Sequence, residues 1–134
     1  MEWLFWQMGG LGPMLGQNHH FVQYAPESLP YAVERYVKEA ERLYGVLDER
    51  LADREFIAGE YSIADMASYP WIVPHRRQQV NIEVFPNVKR WFDAIRARPA
   101  TERAYAIAER INTAPVVTDA SRSVLFGQGR RART

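Results

Sequence analysis

Cysteine is absent from the 134 residues, which excludes a disulfide framework, a thiolate metal site and a cysteine nucleophile. Any thiol chemistry has to come from a ligand or from another chain. An excess of one charge is missing too. The 17 Lys and Arg stand against 16 Asp and Glu, a formal net charge of +1, so nothing electrostatic draws the chain to nucleic acid or to an anionic membrane surface. Long apolar runs are also missing. The opening apolar stretch is interrupted by Gln7, several glycines and Pro13 before it stops at Gln17, short of the ~20 residues a spanning helix needs. No basic region precedes it as in a signal peptide, so the cytoplasm is the expected compartment.

What is present describes one ordinary globular domain: 47% hydrophobic and 25% charged residues in a length that suits a single core. Between Tyr31 and Ala52 the apolar residues Val33, Tyr36, Val37, Ala40, Leu43, Tyr44, Leu47 and Leu51 recur in steps of three and four, which predicts one face of a long helix. Ser28 and Pro30 mark its expected start, and Glu34 with Lys38 forms an i,i+4 pair on the wet side.

After a turn through Asp53–Gly59, the run Glu60-Tyr61-Ser62-Ile63-Ala64-Asp65-Met66 carries a capping box, with Ser62 as N-cap and Asp65 three residues on. Tyr61 and Met66 occupy the places of a hydrophobic staple. The helix that follows, expected over roughly 63–77, is apolar all round and therefore predicted to be buried and central, bent or ended by Pro70 and Pro74. Pro86 opens another helix with Val88, Trp91, Phe92 and Ile95, and Pro99 a further one with Ala104, Tyr105, Ala108 and Ile111. The expectation is an all-α bundle of about five helices over residues 1–112, followed by a tail over 113–134 that lies over the domain or is mobile.

Several residues invite a chemical reading. His19 and His20 are adjacent, so on a helix they point about 100° apart, whereas two-histidine zinc sites use i,i+4 spacing; helix-end or pocket-wall roles are expected, and no metal. Glycines 9, 10, 12 and 16 do not fit G-x-G-x-x-G and follow no strand, so they are expected to end the first helix and to let backbones pass closely. Ser62, Asp65 and His75 could suggest a hydrolytic triad, but capping already accounts for the first two. Trp3, Phe5 and Trp6 read as core or as the wall of an apolar pocket. Arg35 and Glu39, one turn apart, read by spacing as a solvated face, as do Arg130, Arg131 and Arg133 in the tail.

Spacing alone names no reaction. The combination Gly59-x-x-Ser62-Ile63-Ala64-Asp65-Met66 with Phe85-Pro86-Asn87-Val88-x-x-Trp91-x-x-x-Ile95-x-x-Arg98-Pro99-Ala100 resembles the C-terminal helical domain of cytosolic glutathione transferases. The opening Trp3-Leu4-Phe5-Trp6-Gln7, the run Gly10-Leu11-Gly12-Pro13-Met14-Leu15-Gly16-Gln17-Asn18-His19-His20-Phe21 and the segment Pro30-Tyr31-Ala32-x-Glu34-Arg35-Tyr36 are similar to the bacterial nu class, which binds glutathione and reduces disulfides. Val124-Leu125-Phe126-Gly127-Gln128 resembles tails of such proteins.

The resemblance implies that the opening stretch is the later part of a first helix that, in a complete enzyme, follows a thioredoxin-like domain. The catalytic residues and most glutathione contacts would belong to that domain and are assigned to no residue here. Arg35 matches a position that reaches toward glutathione in nu-class enzymes, and a guanidinium offers a carboxylate planar, paired donors. Trp6, Gln7, Met14, His19, His20 and Tyr31 are weaker candidates for the cosubstrate wall. The implied chemistry is thiol exchange, in which glutathione thiolate attacks a disulfide and a second glutathione resolves the mixed disulfide; conjugation to an electrophile is possible on the same site. Glutathione as cosubstrate, a small disulfide or electrophilic substrate and a homodimer of the complete protein complete the expectation. The competing reading is a non-catalytic interaction module of the same fold, since fold does not fix function; a third is a stand-alone helical ligand-binding bundle. The surface that would face the thioredoxin-like domain is expected to leave apolar residues exposed.

Overall fold

In the computed structural model, which describes residues 1–111 and 117–126, the opening glycines do not stop the helix. Helix α1 (Glu2–Trp6) passes into a π-helical turn over Gln7–Leu11, continues as α2 (Gly12–His19) and closes on a second π-helical turn over His20–Tyr24. Gln7, Leu11 and Gly12 keep right-handed helical angles, so they supply no left-handed residue of the kind that closes a helix. The expectation that the glycines end the first helix is corrected on that ground. The rod ends where Ala25, ahead of Pro26, turns extended with ψ 138°, the conformation a following proline enforces.

Close passage is needed at Gly12 alone: a Cβ there would stand 2.8 Å from Gln7 Nε2 and 3.2 Å from Trp71 Cε2, whereas one on Gly10 would make ordinary contact with Leu43 at 3.9 Å and one on Gly9 would meet nothing within 4 Å. Leu11 and Leu15 reach the core, where they join Ala40, Leu43, Tyr44 and Leu47 of α3 (Pro30–Arg50). The periodicity of α3 is as expected, but its start is not: Leu29 is the N-cap, no side chain caps the helix, and Ser28 takes no such part. Pro30 at the first turn has no N–H and so leaves no donor there in want of an acceptor.

Helix α4 (Ile63–Ile72) opens on the expected capping box, with Ser62 N–H donating to Asp65 Oδ2 at 2.9 Å and Ala64 N–H to Ser62 Oγ at 3.2 Å. It ends at Ile72 rather than near Arg77, because a 3-10 turn over His75–Gln78 follows Pro74. Neither is it buried all round: Ile63 and Met66 are 58% and 52% exposed. Tyr61, the expected staple partner of Met66, packs edge-on against Phe56.

Helix α5 (Pro86–Arg96) buries Val88, Trp91 and Ile95. Its first amides are capped from α3, since Asp48 Oδ1 accepts from Asn87 N–H at 2.8 Å and Val88 N–H at 3.0 Å. Asp65 is fully buried and ties three segments together. Oδ1 accepts from the Trp91 indole at 2.8 Å and from Ile57 N–H at 3.0 Å, while Oδ2 serves the Ser62 cap. A buried carboxylate is tolerable when donors surround it in this way.

The compact unit so far described is Met1–Ala97, and Arg98–Thr134 forms a second; the sequence had suggested a division at 112/113. The second unit contains α6 (Pro99–Ile111), none of whose residues is buried, and α7 (Asp119–Phe126). Arg130, Arg131, Arg133, Gly127 and Gln128 lie outside the described residues. All secondary structure among the described residues is helical apart from two isolated bridges around Gly59, and no described helix is long and apolar enough to cross a membrane.

Candidate functional site

The first three turns of α3 form one wall of an open cleft of about 620 Å³, lined by Tyr31, Glu34, Arg35, Tyr36, Lys38, Glu39 and Arg42, with Met14 of α2 opposite. Residues at i, i+4 and i+7 share a helix face, which is why Tyr31, Arg35, Glu39 and Arg42 meet there. The ring of Phe21 lies flat on Tyr36, centroids 5.3 Å apart and planes 6° apart, so an aromatic pair backs the charged row.

Most charges in the cleft are spoken for. Lys38 donates to Glu34, and this hydrogen bond holds the Glu34 carboxyl below its ordinary range and the Lys38 ammonium above it. Arg42 grips Glu39 with both Nε and Nη2 at 2.8 Å. That bond, more than the other nearby cations, keeps the Glu39 carboxyl low. Arg35 is different: exposed and lining the cleft, it makes no hydrogen bond or ion pair among the described residues. A guanidinium so placed can take an incoming carboxylate through two parallel bonds.

The structure brings Met14, Tyr31 and Arg35 together and places the other candidates elsewhere. Gln7 is 3% exposed and lines a separate groove of about 440 Å³ with Met8, Gly12, Pro13, Gly16, Gln17, Ala67 and Trp71; its Oε1 has no partner. Trp6 stacks edge-on against Trp3, whose ring lies 4.8 Å beneath the Arg50 guanidinium. Trp3 and Trp6 pack against the core, and Phe5, 65% exposed, faces solvent.

His19 ends α2 half-buried, its Nε2 without a partner; burial first, and the Arg77 cation second, lower its basicity. His20 stands edge-on to Phe21. Neither histidine belongs to a group of three or more His, Cys, Asp or Glu side chains able to hold a metal, and the described residues contain no such group. Ser62 and Asp65 are engaged in capping. Arg42, which sequence reasoning passed over, lines the same cleft as Arg35; its only signal was the seven-residue spacing.

Residues 17–99 match the family described as glutathione S-transferase, C-terminal domain. The chain belongs to that family. Among curated relatives, the disulfide-bond oxidoreductase YfcG of Escherichia coli (strain K12) is 53% identical over 110 residues, covering 81% of this chain and 51% of the relative. The disulfide-bond oxidoreductase YghU of the same organism is 40% identical over 121 residues, covering 84% and 41%. A glutathione transferase of Burkholderia graminis, solved with two glutathione molecules per subunit, superposes with a TM-score of 0.69 at 42% identity, covering 76% of this chain and 46% of that one. One from Phanerochaete chrysosporium in complex with oxidised glutathione gives 0.77 at 32%, covering 82% and 52%. The chain thus spans about half the length of the relatives it matches. This glutathione-transferase helical domain is all-α, as expected from its sequence.

Proposed function

We infer that this chain is the cosubstrate-side helical domain of a nu-class glutathione transferase, a glutathione-dependent disulfide oxidoreductase, and that Arg35 receives a glutathione carboxylate. The observation that carries the reading is the state of the cleft. Of its three cations, Lys38 and Arg42 are ion-paired while Arg35 is open toward the cavity. The similarity to YfcG and YghU, and to transferases solved with glutathione, supports the same reading.

Glutathione supplies the thiol that exchanges with a disulfide, chemistry this chain cannot supply because it has no cysteine. The chain's own part is to position. Arg35 fixes a carboxylate, Tyr31, Met14 and the Tyr36 ring close the wall, and the neighbouring ion pairs hold the positive side chains in place. Trp6, Gln7, His19 and His20 stand outside this cleft and would act on a substrate only from the groove or rod they occupy.

The exposed apolar Phe5 and Met8, together with the groove lined by Met8, Ala67 and Trp71, suit a surface covered by a thioredoxin-like domain, since monomers rarely leave such patches open. In the complete protein we place the activity in the cytoplasm, on a homodimer, acting on small disulfides or electrophiles without nucleic acid, membrane or metal.

Calorimetric titration of the chain with reduced and with oxidised glutathione, beside Arg35→Ala, tests the reading. Loss of a charge-assisted bidentate contact weakens binding by roughly tenfold or more. Equal binding by the wild type and the variant contradicts it and favours a non-catalytic interaction module.

A further inference from the structure

The π-helical turn that closes the rod is tied to the 3-10 turn over His75–Gln78 by two exposed hydrogen bonds. Gln23 Nε2 donates to the Arg77 carbonyl at 2.9 Å, and Arg77 Nη2 to the Tyr24 hydroxyl at 3.2 Å. His19, the last residue of α2, lies beside this junction, its ring centroid 6.4 Å from that of Tyr24 and its Nε2 enclosed without a partner. Helix α2 packs against α3, α4 and both turns. Of the charges on those elements, the Arg77 cation is the one that bears on the His19 ring. The carboxylates are engaged elsewhere: Glu34 with Lys38, Glu39 with Arg42, Asp48 with the start of α5 and Asp65 with the Trp91 indole, while Glu41 lines a groove with Lys38. His20 and His75 stand edge-on to Phe21 and Phe92.

An imidazolium at His19 would thus carry an Nε2–H with no acceptor and have a like charge as its neighbour, the two conditions that make a buried charge costly. Relief is near, because each exposed tether contributes little on its own and a π-helical turn is a rare geometry that is common at functional sites. We propose that protonation of His19 unlatches residues 20–24 from the 3-10 turn and so loosens the wall of the Arg35 cleft. The link to the cleft is Phe21, which belongs to this turn and stacks on Tyr36, a lining residue. The opening is local. Gln78 stays anchored, since its carbonyl accepts from Asn18 Nδ2 at 3.1 Å and its Oε1 from the Tyr44 hydroxyl at 2.7 Å, and Leu11 and Leu15 hold the rod in the core. Latched, the ring is less basic than an ordinary imidazole, through burial and then Arg77; unlatched, it returns to about 6.5. Between these two values the ratio of unlatched to latched protein rises about tenfold for each unit of falling pH.

The experiment is an NMR titration of the full chain from about pH 8 to about pH 5, spanning the ordinary imidazole range. It follows the His19 ring, the Gln23 side-chain amide and the cross-relaxation between the Phe21 and Tyr36 rings, with the Trp91 indole as the reporter of global folding. In the wild type the Gln23 amide shifts and the Phe21–Tyr36 signal fades in step with His19 protonation, while the Trp91 indole is unchanged. His20→Gln behaves as the wild type, and His19→Gln stays latched throughout. A latch indifferent to pH in the wild type, a loss that persists in His19→Gln, or a loss shared by the Trp91 indole overturns the proposal.

Discussion

The junction of α4 and α5 and the opening rod over residues 2–24 are built on opposite terms. At the junction Asp65 is enclosed by donors from Ser62, Ile57 and Trp91, and Asp48 supplies the cap that α5 lacks. The rod keeps buried polar atoms without partners at Gln7, Asn18 and His19, where α4 keeps one at Ser68, and the rod exposes Phe5 and Met8. Satisfied polar groups fix a structure, and of the unsatisfied atoms in the rod only that of Gln7 lies beside a groove. The junction is held by satisfied polar groups, and the rod by Leu11 and Leu15 in the core; on the proposed function, recognition falls to the adjoining face of α3.

The sharpest way to break this contrast is to damage the junction. Asp65→Ala strands the buried Trp91 indole and Ile57 amide, each unmet donor costing about 1–3 kcal/mol. Thermal denaturation is expected to show a loss of about 3 kcal/mol or more, and a fall of less than 1 kcal/mol would remove the junction's special status. Next in size is Gly12→Ala, which drives a methyl into Gln7 and Trp71. Overpacking of this kind costs about 1–3 kcal/mol, measurable by urea denaturation, whereas Gly9→Ala, with no neighbour within 4 Å, should cause no clash.

Ser62→Ala removes one side of the capping box, for which about 0.5–2 kcal/mol is expected in the same assay. The smallest effect is at His19. Burial, then Arg77, hold its basicity below that of an ordinary imidazole, so the unfolded chain binds a proton at higher pH than the folded one. Its contribution is present above the unfolded pKa and is lost as pH falls from about 6.5 toward the lower folded value. Replacing it, as His19→Gln, should flatten that acid limb in stability-versus-pH curves; an unchanged limb would assign it to other groups.

Local patterns were legible from the chain alone, and tertiary ones were not. The periodicity of α3 and the Ser62–Asp65 box depend on neighbours three or four residues apart, and both are present. The Trp91–Asp65 bond spans 26 residues and the Asp48 cap of α5 spans 39, beyond any periodic signal. For the glycines of the rod the close passage expected is present at Gly12, against Gln7 and Trp71, while the helix ending is not, since the backbone stays right-handed through them. Met66 was expected inside because its helix is apolar by composition; the fold turns that residue outward. In the cleft, Arg35 was singled out only through resemblance, since by spacing it belongs to a wet face. Its companionship with Met14 and Arg42 becomes visible only once α2 is laid beside α3.

Hydrogen–deuterium exchange with and without glutathione tests the division between recognition and stability most directly. The account predicts added protection in the Met14 region of α2 and over residues 31–42 of α3, with the α4–α5 junction unchanged. Protection confined to the junction, or none along the Arg35 face, would contradict it.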